Sequence, residues 1–222
     1  MELDNIIYPG FNKTLSELNA ISKIKKKSCE IVDLTEIEWV RDVLRHRVEE
    51  VGTYDIKFRK PTDEEIKSVS EIVGADINID ELKNNFHKNK RIIGITSGKG
   101  GVGKSTITSL LGIAFDELGK KVGIMDSDIW GYSVPKILGA KFPPIPFNER
   151  IFPSRINNLN VISMDYFVKQ DEAVIWRGPM LHKAIEQFLF EVLWHDIDVL
   201  LIDMPPGTGD VSISLSQFLK YF

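Results

Sequence analysis

The sequence predicts an α/β protein, a mostly parallel sheet covered by helices, preceded by a small α+β domain. Three short apolar runs carry that reading: residues 91–96 (RIIGIT), 121–126 (KVGIMD) and 198–203 (DVLLID), separated by stretches with helical periodicity. Strands that are apolar on both faces and joined by helices belong to parallel sheets buried on both sides. Composition also shifts near residue 90. Lys, Glu and Asp dominate before it, whereas dense glycine loops and apolar runs follow it. We therefore expect a small domain over residues 1–88 and a larger one over 89–222.

In the first domain, residues 54–58 (YDIKF) alternate as a half-buried strand does. Pro61 and the acids Asp63, Glu64 and Glu65 then open a helix that runs to about Val73, with the acids suited to its first turn. Residues 81–91 read as a linker or a solvated helix. Lys23, Lys25, Lys26 and Lys27 read as a solvated face rather than an anion patch. In the second domain, a helix is expected from Lys104 to about Leu118. A further helix carries Met180, Leu181, Ala184, Ile185, Phe188, Leu189, Val192 and Leu193 on one broad apolar face.

Composition narrows the class of function. The chain has 222 residues, with 28 Lys+Arg against 32 Asp+Glu and a formal net charge of -4. That balance shows no electrostatic footprint for nucleic acid. No apolar stretch approaches the length of a membrane span, and the N-terminus lacks the pattern of a signal peptide, so no membrane partner is expected. The single cysteine, Cys29, forms no internal disulfide and points to a reducing cytoplasm. It reads as a small buried thiol rather than a ligand.

Residues 98–105 (GKGGVGKS) fit the phosphate-binding pattern G-x-x-x-x-G-K-S/T, placed between a predicted strand and a predicted helix. Gly98, Gly100, Gly101 and Gly103, with Lys99 and Val102 between them, let successive backbone N–H groups turn toward phosphate oxygens at a helix N-terminus. Lys104 is placed for the β- and γ-phosphates, and the Ser105 hydroxyl suits Mg²⁺. Thr106 adds a hydroxyl near the α-phosphate. Three acids stand at strand ends, where the ligand crevice of an open α/β sheet lies: Asp126, Asp128 and Asp203. Each alone also reads as a loop acid or a helix cap. ATP and Mg²⁺ are the expected ligands.

Lys99, directly after the first glycine, resembles the deviant phosphate-loop signature of the MinD/ParA class of dimeric ATPases. Residues 126–135 (DSDIWGYSVP), 176–180 (WRGPM) and 203–210 (DMPPGTGD) narrow the likeness. Together they resemble the Mrp/ApbC family of ATP-hydrolysing iron-sulfur cluster carriers, over about residues 91–219. The resemblance implies a homodimer in which Lys99 reaches the partner's nucleotide, as an arginine finger does. It implies that Lys99, Lys104 and Asp128 serve catalysis, with Asp128 orienting the attacking water. It further implies that Ser105, Asp126 and Asp203 surround Mg²⁺, and that the partners are iron-sulfur apoproteins. Trp176 and Arg177, read from their own chemistry, pack and pair with a carboxylate, respectively.

The sequence departs from that family in two places. The small first domain resembles an iron-sulfur assembly domain only faintly, at residues 30–42, and the cysteine loop expected later is replaced by residues 58–62 (FRKPT). Family members continue past the equivalent of Gln217 with an adenine-contacting segment, and many carry Cys-x-x-Cys. This sequence has neither, so a shortened ATPase domain is expected, and an iron-sulfur cluster is implied by the resemblance alone. Two other readings stay open: a MinD/ParA-like positioning ATPase, and a shortened nucleotide-binding relic without cluster transfer, whose unpaired sheet edge would promote aggregation.

Overall fold

The computed structural model describes residues 2–25, 28–86, 88, 90–128, 131–167, 178–194, 197–207 and 209–219. Contacts divide the chain into two compact units, Met1–Asp76 with Ile145–Phe152, and Ile77–Pro144 with Pro153–Phe222. The compositional break near residue 90 and this division do not coincide, because the helix before the first parallel strand packs within the second unit.

The first unit begins with two short paired strands, β1 (Ile7–Tyr8) and β2 (Lys13–Thr14). Then come β3 (Ile21–Lys25), β4 (Ser28–Val32), α1 (Glu38–Val51), β5 (Asp55–Arg59) and α2 (Asp63–Val73). The sheet runs β3-β4-β5, with β4 antiparallel to β3 and parallel to β5. α1 makes the crossover, burying Val40, Leu44 and Val48 at every fourth position, as one apolar helix stripe requires. α2 starts at a capping box. The Thr62 hydroxyl accepts from the Glu65 N–H at 3.2 Å and the Glu65 carboxylate accepts from the Thr62 N–H at 2.9 Å. Lys23 and Lys25 are exposed on β3, as a solvated face is. Cys29 is buried in β4, and burial followed by the charge of Asp55 raises its thiol pKa.

The antiparallel hairpin of β8 (Ile145–Phe147) and β9 (Arg150–Phe152), later in the chain, belongs to this first unit. Its Phe147 and Phe152 rings meet Phe11 at 5.1 and 4.3 Å between centroids.

The second unit holds α3 (Ile79–Asn85), β6 (Arg91–Ile95), α4 (Lys104–Glu117), β7 (Val122–Asp126) and α5 (Val134–Leu138). After them come β10 (Ser154–Ile156), β11 (Leu159–Ser163), α6 (Gly178–Phe190), β12 (Val199–Asp203) and α7 (Asp210–Phe218). The sheet order is β10-β11-β7-β12-β6, parallel throughout except for the β10–β11 pair. Val122, Ile124, Val161, Val199 and Leu201 form its core with Val134, Ile156 and Leu159. α4 lies close on this sheet: a Cβ at Gly112 would stand 2.6 Å from Ile124 Cδ1. Register brings the strand ends level, pairing Asp203 with Asp126 and Asp126 with Ser163.

Candidate nucleotide site

The loop between β6 and α4 reaches its helix with backbone that only glycine adopts without strain, at Gly101 (φ 73°) and Gly103 (φ 90°). Gly103 is the N-cap of α4, and no side chain caps that end. The first turn of α4 therefore presents backbone N–H groups that no cap side chain covers, together with the positive end of the helix dipole. Across the loop, the Met204 N–H donates to Ile95 O and the Gly207 N–H to Ser97 O, both at 3.0 Å. These bonds fasten the segment after β12 and set Pro205 and Pro206 in the wall of a cavity of about 690 Å³. Gly100, Gly101, Gly103, Lys104, Ser105, Thr106 and Asp128 also line it.

The Lys104 side chain is only 7% exposed. Its ammonium stands 2.8 Å from Asp203 Oδ1 and 3.5 Å from Asp128 Oδ2. The Ser105 hydroxyl donates to Asp203 Oδ2 at 2.5 Å, and the Thr108 hydroxyl reaches Asp203 Oδ1 at 2.9 Å. Asp203 is fully buried, and the Ser127 hydroxyl and N–H both donate to its main-chain oxygen. Asp128 is fixed by the Gly131 N–H, 3.1 Å from its Oδ1.

Asp126 is placed differently. Its Oδ2 accepts from the N–H groups of Ser133 and Val134 and from the Ser163 hydroxyl, and its Oδ1 from the Asp128 N–H. It does not line the cavity. Burial first and the neighbouring Asp203 charge second push its carboxyl up to about 7. Ser105 and Asp203 thus come together, while Asp126, expected beside them at Mg²⁺, faces the start of α5. Lys99 is exposed; its main-chain oxygen accepts from the Ser97 hydroxyl. Gly98, Lys99 and Val102 do not line the cavity. Trp176, Arg177 and Thr208 lie outside the described residues.

Sequence reasoning missed Thr108, Ser127 and Ser163. The spacing held a signal for one of them, since Thr108 follows Lys104 by four residues, one turn along the same helix face. Among the described residues there is no group of three or more His, Cys, Asp or Glu side chains that could hold a metal ion. Hard oxygens with few protein ligands suit Mg²⁺, which keeps waters and takes substrate phosphates. The Ser105 hydroxyl beside the Asp203 carboxylate fits that pattern. Among the described residues no helix is long and apolar enough to cross a membrane.

An uncapped helix behind a glycine loop, a buried lysine and a strand-end carboxylate on a parallel sheet define a P-loop NTPase. The family model of the ParA class described as NUBPL iron-transfer P-loop NTPase matches residues 88–222, and the chain belongs to that family. It is similar to an iron-sulfur cluster carrier protein of Helicobacter pylori, 34% identical over 97% of this chain and 59% of that one. A carrier protein of Mycobacterium leprae is 47% identical over 58% of this chain and 34% of its own length. The chain therefore spans about a third to three fifths of these curated relatives. Among solved structures it is similar to a nucleotide-binding protein from Archaeoglobus fulgidus in complex with ADP. The two are 34% identical with a TM-score of 0.52, over 65% of this chain and 56% of that one.

Proposed function

We propose that this chain is the nucleotide-binding and hydrolysing part of an iron-sulfur cluster carrier, which binds Mg²⁺-ATP and couples its hydrolysis to delivery of clusters to apoproteins. The observation that carries the nucleotide reading is the buried Lys104 held between Asp203 and Asp128 at the uncapped start of α4. A buried ammonium shared by two carboxylates is compensated while no anion is bound, and phosphate oxygens offer it the same contacts. The loop N–H groups and Lys104 then receive the β- and γ-phosphates. Ser105 and Asp203 are the residues that would hold Mg²⁺, which when bound neutralises charge on the phosphate oxygens.

Asp128 orients the attacking water in this reading. The Gly131 N–H fixes one of its oxygens, and the other stands beside Lys104. Lys99 supports a homodimer. Its side chain is exposed and makes no ion pair among the described residues, as a residue serving a partner's nucleotide requires. Asp126 acts from behind, holding the turn after β7 that carries Asp128. The cluster is cargo. Cys29, the only cysteine, is buried with a raised thiol pKa, so this chain's own cysteine does not supply a cluster ligand.

The nucleotide reading is tested by titrating a fluorescent ADP analogue into the wild-type chain and Lys104→Ala, with folding checked by circular dichroism. Saturable binding that disappears in the folded variant supports it; equal affinity in both removes Lys104 from the site. Delivery is tested by reconstituting the protein with iron and sulfide and following visible absorbance to an apo-acceptor. Cluster transfer unaffected by ATP would overturn the coupling.

A further inference from the structure

Asp203 is pinned from three sides. Lys104 Nζ and Thr108 Oγ1 reach its Oδ1, and Ser105 Oγ reaches its Oδ2. In the function proposed above, Lys104 turns to phosphate and Ser105 to the metal. Thr108 is the donor with no such second task. Both Thr108 and Asp203 are fully buried, so water does not replace the bond. The Thr108 hydroxyl also lies 3.1 Å from Lys104 O. Its single proton goes preferentially to the carboxylate, because a bond to an ionised acceptor is roughly twice as strong as one to a carbonyl.

The torsion that turns a carboxylate about its Cβ–Cγ bond is broad and roughly two-fold. Once Lys104 and Ser105 have turned away, nothing in their chemistry keeps Oδ1 and Oδ2 from exchanging places. We propose that Thr108 is a positioning residue that holds Oδ1 of Asp203 through nucleotide binding, so that Oδ2, beside Ser105, is the oxygen offered to the divalent ion. This inference rests on the reading of Asp203 and Ser105 as the Mg²⁺ ligands. Hydrogen-bond partners behind a metal ligand typically contribute about 10- to 100-fold to metal affinity, which sets the size of the expected effect.

The test measures metal binding without turnover. Mn²⁺ is titrated into the ADP-saturated chain and free ion is followed by electron paramagnetic resonance; ADP affinity in EDTA is measured separately. Thr108→Val keeps the shape and removes the hydroxyl, whereas Thr108→Ser keeps the hydroxyl. We expect Thr108→Val to weaken Mn²⁺ by about tenfold, Thr108→Ser to stay close to wild type, and metal-free ADP affinity to stay unchanged in both. Thr108→Ala repeats the test should the valine variant not fold. Unchanged Mn²⁺ affinity in Thr108→Val, or an equal loss in Thr108→Ser, would overturn the proposal. Wild-type protein that binds ADP but gains no Mn²⁺ affinity from it would instead overturn the underlying metal reading.

Discussion

Helices α2 and α4 begin in opposite ways. At α2 the chain closes its own helix end, since Thr62 and Glu65 exchange side-chain and backbone bonds and Arg59 holds the Glu65 carboxylate with two nitrogens. At α4 the cap is Gly103, which has no side chain to accept from the first turn, and the nearby ammonium of Lys104 is turned onto two buried acids. A helix end closed by its own side chains contributes to stability and has no further chemistry. An end left open, with its cation held in reserve, is suited to an anion supplied from outside. The same dipole serves structure in one unit and, in the function proposed, ligand binding in the other.

The largest expected effect lies in the reserve. Lys104→Ala takes the 2.8 Å ammonium partner from the fully buried Asp203, and removing one partner of a buried pair costs about 3–5 kcal/mol. Urea unfolding without nucleotide should show that loss, and Asp203→Asn in the same chain should recover much of it; a variant as stable as wild type would mean the acids do not depend on Lys104. Next in size is the ligand. ADP with Mg²⁺ at about 100 times its Kd should stabilise the wild-type chain by about 2.7 kcal/mol, and should do so equally in Thr62→Ala. A smaller effect belongs to the closed end: Thr62→Ala should cost the first unit about 1 kcal/mol and leave ADP affinity within about twofold, as expected for a cap with no ligand role. A large drop in ADP affinity there would erase the distinction between the two ends.

Dependence on pH separates the two regions in another way, since they should respond with opposite sign. Arg59, and then the Thr62 N–H, hold the Glu65 carboxyl down at about 2 against an ordinary 4.5. Its stabilisation is complete above about 4.5 and is lost as pH falls toward 2. Asp126 is held up at about 7 against 3.8, so the folded chain keeps a proton that the unfolded chain releases, and stability declines as pH rises from 3.8 to 7. Difference curves for Glu65→Gln and Asp126→Asn, each against wild type, should therefore slope in opposite directions within those windows. Parallel slopes would contradict the opposed environments.

Much of the second unit was legible because its signals are local. Residues 199–203 are buried at every position of β12, and an unbroken apolar run with an acid at its end announces such a strand. The glycine loop likewise declares itself by spacing. The arrangement of the acids was not legible, since it depends on register. Asp126 is diverted by Ser163, which reaches it because β11 pairs beside β7, and by the turn at Ser133 and Val134. Thr108 looks like an ordinary helix threonine until β12 brings Asp203 over it. The hairpin at Ile145–Phe152 was hidden for the same reason: its place in the first unit is set by Phe11, far away in sequence, and not by composition.

In the function proposed, the open start of α4 is the nucleotide site and the closed start of α2 is not. Backbone amide resonances followed during an ADP titration test it directly, because both helix ends report in one experiment. Saturating shifts are expected at Gly101, Gly103, Lys104 and Ser105, with Asp63, Glu64 and Glu65 unmoved. Loop amides that stay still at millimolar ADP, or shifts of equal size at both helix ends, would contradict it.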